Sequence, residues 1–308
     1  MVYSIIKRCI WTLPVLFGIV VITFALIYKI PGDPVMQMVG ERSNPETITM
    51  IRNKYGFDKP LHKQFFIYIN QLLHGDMGIS IIKHKKITES LIERFPVTVQ
   101  LSSYAMILAI LIGIPIGIIS AVYRGKFPDH ILMPLSLLGI STPVFWFGIM
   151  VMLLFSRKLN LLPASGYGDG ALAYAILPSL TLGIRPAAFI ARLLRTQMLD
   201  VMNEVYIQAA RAKGLPGWKV ILKHALRNAF IPVLHLIGMD IGNLLSGAAL
   251  TEMIFGWPGI GSYALNAIGR RDYPVIMGTV IFTALIFVIV NLIVDILTIW
   301  IDPRIQNV

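Results

Sequence analysis

The chain has 308 residues, of which 56% are hydrophobic and only 14% charged, with a mean hydropathy of +0.72. Soluble globular proteins carry about 25% charged residues, so this composition excludes an ordinary soluble enzyme and predicts a protein of the lipid bilayer. The net charge of +11 does not indicate nucleic-acid binding, because the basic residues lie between apolar runs rather than on one folded face with base-reading partners.

Six apolar stretches are long enough to cross the hydrocarbon core, which takes about 20 helical residues. In chain order they are residues 9–30, 97–122, 131–155, 171–190, 229–250 and 275–301. The fourth is the weakest, because Pro178, Gly183, Arg185 and Pro186 interrupt it. Proline within a span needs neighbouring helices or water to satisfy the freed carbonyl group. We therefore expect an all-α integral membrane protein whose six transmembrane helices pack as a bundle.

The first stretch begins like a secretory signal, but it is too long and lacks a small-residue cleavage site, so it is expected to stay as a membrane anchor. Short loops rich in Lys and Arg lie in the cytoplasm. One side of the predicted bundle carries Lys7, Arg8, Arg124, Lys126, Arg192, Arg195, Arg211, Lys213, Lys219, Lys223, Arg227 and Arg304, and the short loops of the other carry Arg157, Lys158, Arg270 and Arg271. This asymmetry predicts cytoplasmic N and C termini and a cytoplasmic loop at residues 191–228.

Residues 31–96 are long enough to be extracytoplasmic whatever their charge. Asn44-Pro45-Glu46 is typical of a helix start, and Leu61, Phe65 and Ile69 recur at helical spacing before a glycine. We expect two short helices packed over the outer mouth of the bundle. The alternative is an amphipathic helix on the membrane surface.

The motifs of covalent chemistry are missing from this sequence. It contains no phosphate-binding GxxxxGK[ST] loop, no HExxH and no GxSxG. His62, His74 and His84 show no ligand spacing and are interpreted as surface histidines, and the single cysteine, Cys9, excludes an internal disulfide. Movement of a solute is therefore a better hypothesis than catalysis, and no metal or cofactor is expected in this chain.

Residues 208–228 form the most polar and basic stretch in the second half of the chain. Asn203 is expected to cap a helix that stops at Gly214, and Pro216 to begin a second helix. The first helix carries small side chains surrounded by positive charge, namely Ala209, Ala210, Ala212, Arg211, Lys213, Lys219 and Lys223. Lipid headgroups require charge but no smooth helix face, so docking into a groove of another protein is favoured over a passive basic loop.

Charged residues within spans are candidates for function because burying charge is costly. Asp240 lies near the middle of the fifth span, with His235 on the same helix, and Arg185 is in the fourth span. Asp240 is predicted either to contact the solute on the translocation pathway or to hydrogen-bond between helices, with Asn243 or Arg185 as its partner. Glu252 follows the fifth span and could face the cavity or a docked protein. Trp257, in a predicted turn, either covers the mouth or anchors at the membrane interface.

Several motifs resemble those of one transport family. Residues 208–214 read QAARAKG, residues 223–228 read KHALRN, and Ile231-Pro232 follows, a series similar to the EAA loop of ABC-importer membrane subunits. Similar motifs cover nearly the whole chain in order: IPGDP at 30–34, DKPL at 58–61, GDMG at 75–78, GISTP at 139–143, LPSLTLG at 177–183, EMIFGWPGIG at 252–261, RDYP at 271–274 and DPR at 302–304. The chain resembles the first permease subunit of the dipeptide, oligopeptide, glutathione and nickel uptake family.

This resemblance implies a type I ABC-importer transmembrane domain in a prokaryotic cell membrane. It also implies a second homologous permease subunit, one or two ABC ATPase subunits that bind ATP and Mg²⁺, and an extracytoplasmic solute-binding protein, with no catalysis by this chain itself. The residues implied to couple to the ATPase are Gln208, Ala209, Ala210, Arg211, Lys213 and Gly214. Gln208 stands where the family has Glu, which leaves helix insertion possible but puts a salt bridge from this position in doubt.

The alternative function is a stand-alone channel or an ion-coupled carrier. Such carriers commonly contain inverted repeats and broken helices near the membrane midplane. The two halves of this sequence show no convincing repeat, so the importer subunit is the favoured prediction.

Overall fold

The computed structural model describes residues 2–29, 35–36, 44–55 and 58–301. Apart from an isolated bridge between Ile79 and Lys86, the regular structure in this part of the chain is helical. The helices are α1 (Val2–Lys29), α2 (Pro45–Tyr55), α3 (Leu61–Leu73), α4 (Ile87–Val122), α5 (Phe127–Ser141), α6 (Val144–Lys158), α7 (Leu172–Met202), α8 (Val205–Ala212), α9 (Gly217–Leu245), α10 (Ala249–Ile254), α11 (Ile260–Arg270) and α12 (Tyr273–Ile301).

Length and apolar composition make α4, α7, α9 and α12 membrane-spanning helices, and α5 with α6 together satisfy the same test. In α1 the apolar stretch whose side chains are described runs from Ile10 to Ala25. An all-α membrane protein is therefore confirmed. The count of six spans and the cytoplasmic side of both termini stay predictions.

The third predicted span, residues 131–155, is broken rather than continuous. Helices α5 and α6 meet at 107°, and Thr142 between them is extended, with φ −77° and ψ 129°. The ring of Pro143 disfavours helical geometry at the residue before it. The GISTP motif therefore forms a corner that hydropathy does not reveal.

Two other helices extend beyond the boundaries that the sequence predicts. The fourth predicted span, residues 171–190, is a helix that tolerates Pro178 and Pro186 but extends farther than predicted, as far as Met202. The predicted helix from Pro216 and the predicted span at 229–250 form one helix, α9, which contains a π-helical segment at Val220–Ala225. Residues 223–229 (KHALRNA) contain neither glycine nor proline, so no residue there ends the helix.

The backbones of α4 and α7 touch directly. Gly113 and Gly117 on α4 face α7, while Gly183 on α7 faces α4. A Cβ atom added to Gly113 or to Gly183 would lie 2.6 Å from a backbone carbonyl oxygen of the opposite helix. Small residues four apart allow such close packing between membrane helices. This contact fixes α7 against the longest helix of the bundle.

The two short helices predicted between residues 31 and 96 are confirmed as α2 and α3. The aromatic face of α3 packs against α1, with Phe65 and Phe24 at a ring-centroid distance of 5.1 Å and Tyr68 beside Phe24 at 5.7 Å. Their extracytoplasmic location stays a prediction.

Candidate translocation cavity and coupling segment

The coupling segment, residues 203–228, contains the glycine turn that the sequence predicts. Gly214 has φ +79°, in the left-handed region. Its N–H donates to the Arg211 carbonyl oxygen at 2.9 Å, and the Leu215 N–H donates to the Ala210 carbonyl oxygen at 3.4 Å. These two bonds form a Schellman motif, which satisfies carbonyl groups at the end of α8. Pro216 then precedes α9, as expected.

The start of α8 differs from the prediction. Glu204, not Asn203, occupies the N-cap position, and it makes no side-chain capping bond. Asn203 instead ends α7, where its N–H donates to the Asp200 carbonyl oxygen at 3.1 Å. The carbonyl oxygen of Asn203 accepts a hydrogen bond of 3.3 Å from the Gln208 amide nitrogen.

The predicted coupling residues divide between two faces of α8. Gln208, Ala209, Arg211 and Lys213 are exposed. Ala210 instead turns inward, where it is buried with Ile207 in the apolar core formed by α4, α7 and α9. The outward face therefore offers two small side chains, Ala209 and Ala212, between charges, and the inward face ties α8 to the bundle.

Large apolar side chains near this face were not singled out from the sequence. Val205 is 78% exposed, Trp218 62% and Leu222 51%. All three lie in the amphipathic coupling segment, where charged residues mark the solvent-accessible surface. The sequence signal was the high hydrophobicity of Val205, Trp218 and Leu222 within a basic stretch.

Arg185 and Asp240, on different helices, line one cavity of about 310 Å³. Arg185 belongs to α7 and Asp240 to α9, and the corner residue Val144 completes the wall from α6. Asn243 adds an amide one turn from Asp240. The remaining lining residues are mostly apolar: Leu182, Pro186, Phe189, Leu244 and Ala248.

The carboxylate of Asp240 is partly buried, and the neighbouring groups compensate only part of the cost of that burial. Arg185 and Asn243 are the groups that interact with its carboxylate, but no ion pair within 4.0 Å joins Arg185 to Asp240. Its oxygen Oδ2 is shut off from solvent and has no hydrogen-bond partner. The guanidinium group of Arg185 instead lies 5.8 Å from the centroid of the Phe189 ring.

His235 does not line this cavity. It lies on α9, where its Nδ1 is 3.4 Å from the hydroxyl oxygen of Thr298 on α12. The contact joins two helices on another side of α9.

Glu252 also lies outside the cavity, and its side chain is fully buried. The Thr98 hydroxyl donates to its Oε1 at 2.9 Å, and the Ser262 N–H donates to its Oε2 at 2.8 Å. The Ile260 N–H donates in turn to the Thr98 oxygen at 2.9 Å. This network fastens the start of α11 to α4.

Trp257, in the same turn, is fully buried, and its indole N–H donates to the Val97 carbonyl oxygen at 2.9 Å. Burial inside the chain contradicts the interfacial-anchor interpretation and favours a structural turn.

Replacement of Glu252 by Gln should produce a pH-dependent change in stability. Burial raises the pKa of the Glu252 carboxyl group above its ordinary value, against the opposing effect of its hydrogen bonds. A raised pKa in the folded state makes the contribution of Glu252 largest below the unfolded-state value and smaller as pH rises through the folded-state value. The wild-type advantage in melting temperature over Glu252→Gln should therefore shrink as the pH rises above the ordinary glutamate value of about 4.3.

Thermal unfolding of the purified protein at a series of pH values measures this difference. The variant Asp200→Asn, at an exposed position, controls for general loss of a carboxyl group. A wild-type advantage that grows with pH would contradict a raised pKa.

Two family models account for almost the whole chain. The model described as "Binding-protein-dependent transport system inner membrane component" matches residues 113–307, and the N-terminal model of such membrane components matches residues 1–102. The chain belongs to this permease family.

Relatives of this permease agree along their full length. It is 42% identical to the dipeptide transport system permease protein DppB of Escherichia coli K12, covering 100% of this chain and 99% of the relative. It is 41% identical to the probable D,D-dipeptide transport system permease protein DdpB of the same strain, over 98% and 97% of the two chains. The glutathione transport system permease protein GsiC of Salmonella typhi is 40% identical, over 99% of each chain.

The fold of the permease resembles the inward-facing MetNI methionine ABC transporter. The two share a TM-score of 0.57 and 18% identity over 69% of this chain and 96% of that one. The type I ABC-importer fold is thereby confirmed. As a family member with several apolar spans, the protein is a multi-pass permease of the cell membrane and a subunit of an importer, rather than a stand-alone channel or ion-coupled carrier.

Proposed function

We propose that this permease forms half of the translocation pathway of an ATP-driven importer for peptides or related small solutes. The observation that carries the proposal is a covalent connection. The coupling segment joins α7 to α9, and these two helices contribute Arg185 and Asp240 to the cavity. Movement of α8 therefore acts on both walls of the cavity at once.

The coupling step follows from this connection. ATP and Mg²⁺ bind to separate ATPase subunits, which are either identical or of two kinds. When these subunits close on each other, they move a groove that holds the outward face of α8. Arg211 and Lys213 steer the contact electrostatically, Ala209 allows close approach, and Gly214 fixes the turn. About 25 Å of helix separates Arg185 from the end of α7 at 1.5 Å per residue, so α7 acts as a rigid lever. A ligand that binds the two states unequally then shifts the equilibrium between them.

The remaining parts of the importer complete the pathway. A second homologous permease supplies the facing half, and an extracytoplasmic solute-binding protein delivers the solute to the side of residues 31–96. Residues 191–228 lie on the cytoplasmic side with the ATPases. Asp240 and Arg185 are the pathway residues of this subunit, while His235 and Glu252 support the helices around them.

The relatives suggest the solute class. Their names refer to dipeptides, D,D-dipeptides and glutathione, which all carry a free amine and at least one carboxylate. Dipeptides are therefore the first solutes to test, with oligopeptides, glutathione and nickel chelates next.

Reconstitution tests this proposal directly. The permease, its homologous partner and their ATPases are placed in proteoliposomes with the solute-binding protein, and uptake of a radiolabelled dipeptide is measured. Uptake should require ATP and the binding protein, and the ATPases should co-purify with this chain in a fixed ratio. Gradient-driven uptake by the chain alone, without ATPase subunits, would overturn the proposal.

A further inference from the structure

The cavity between α7 and α9 holds two opposite charges that are not paired with each other. Arg185 and Asp240 both line it, but no ion pair within 4.0 Å joins them. The Arg185 side chain is exposed within the chain and packs over Phe189. The positive and negative groups therefore form two separate poles of one cavity.

The negative pole of the cavity is the Asp240 carboxylate, which has too few hydrogen-bond donors and positive charges around it. Oxygen Oδ2 of Asp240 is enclosed and has no hydrogen-bond partner, and the neutral amide of Asn243 adds no positive charge. A buried charge without adequate partners destabilises its surroundings. A cationic group beside this carboxylate would supply the missing interaction.

We propose that this cavity is a contact site for dipolar solutes, in which Asp240 receives a protonated amine and Arg185 receives a carboxylate. The inference rests on the proposed function and adds to it the chemical basis of selection within the membrane. The solute class is that of molecules with one cationic and one anionic end.

The chemistry of each pole fits this assignment. The planar guanidinium group of Arg185 offers paired donors that match a carboxylate, and the Asp240 carboxylate accepts hydrogen bonds from an ammonium group. Apolar walls from Val144, Leu182 and Leu244 reduce the local dielectric and strengthen both contacts. The volume of about 310 Å³ is at the lower end of that of small-molecule sites.

Equilibrium binding to the nucleotide-free importer in nanodiscs, without the solute-binding protein, tests the site itself. The probes are alanyl-alanine, its N-acetyl derivative and its C-terminal amide, at concentrations up to the millimolar range. The wild type should bind each capped probe about tenfold more weakly than the free dipeptide, as expected for loss of one hydrogen bond to a charged group. Asp240→Asn should lose discrimination against the N-acetyl probe only, and Arg185→Gln against the amide only.

Arg192→Gln and Asp200→Asn, two exposed charges elsewhere on α7, are the matched controls and should bind as the wild type does. Melting temperatures show that each variant is folded. Arg185→Lys provides a second variant, which keeps the positive charge but lacks the planar guanidinium group. The same wild-type preparation is assayed for ATP-driven uptake with its binding protein. Uptake without selective binding, or equal discrimination in all variants, would overturn the dipolar site alone. Failure of ATP-driven uptake would overturn the proposed function.

Discussion

Replacement of Gly214 by Val is expected to uncouple ATP hydrolysis from uptake and so to lower uptake strongly, while the permease still inserts into the membrane. Gly214 has φ +79°, and a left-handed conformation costs an L-residue about 1–2 kcal/mol, with a β-branched side chain among the least tolerant. Open space surrounds the position, with no atom within 4 Å of an added Cβ. The damage is therefore to the backbone turn, which sets the direction of α8 relative to α9.

The measurement compares uptake with ATP hydrolysis in the reconstituted importer. Uptake should fall by about tenfold or more, since a tenfold change corresponds to about 1.4 kcal/mol of coupling energy, while hydrolysis continues. Gly214→Asn tolerates the left-handed region better and should keep most of the uptake. Gly217→Val adds the same side chain at a neighbouring open position without positive φ. Normal transport by Gly214→Val would contradict the coupling mechanism.

The second large effect is expected at Gly183, where α7 touches α4. The added methyl group of Gly183→Ala would lie 2.6 Å from the Ala105 carbonyl oxygen on α4. This backbone atom cannot move without shifting its helix. Overpacking of this kind destabilises proteins by about 1–3 kcal/mol and occasionally more, so the variant should have a clearly lower melting temperature and a lower yield of monodisperse protein.

Gly18→Ala and Gly269→Ala are suitable controls, because an added Cβ at either position meets no atom within 4 Å. Both should unfold at nearly the wild-type temperature. Equal stability of Gly183→Ala and these controls would show that α4 and α7 lie farther apart than described. Since α7 also carries Arg185, partly folded Gly183→Ala protein should lose selective dipeptide binding as well.

Local sequence signals predicted the parts of this permease that depend on a few adjacent residues. The membrane class follows from apolar runs that satisfy every backbone hydrogen bond within one helix. The turn at Gly214 follows from the conformational freedom of glycine after a helix. Helix α2 follows from the start signal at Asn44-Pro45-Glu46, and α3 from its apolar spacing. The resemblance of the coupling segment to the EAA loop identified the transport family before any contact between helices was known.

The contacts between distant segments required the tertiary structure. A hydropathy window gives the same value for a straight span and for the corner at Thr142 and Pro143, because it averages over the bend. Whether Asp240 faces Arg185 or another helix depends on how α7 and α9 are rotated, which is set by packing at positions such as Gly183. The inward turn of Ala210 and the burial of Glu252 have the same origin.

The sequence by itself determined that this chain is a helical membrane protein with a glycine turn in a basic stretch, since hydrophobic length and turn chemistry are properties of contiguous residues, and its resemblance to a permease family supplied the transport function. Only the tertiary structure decided that Arg185 and Asp240 share one cavity while His235 and Glu252 lie apart from it. The surroundings of a buried polar group are made by residues far away in the chain, and no local pattern records them.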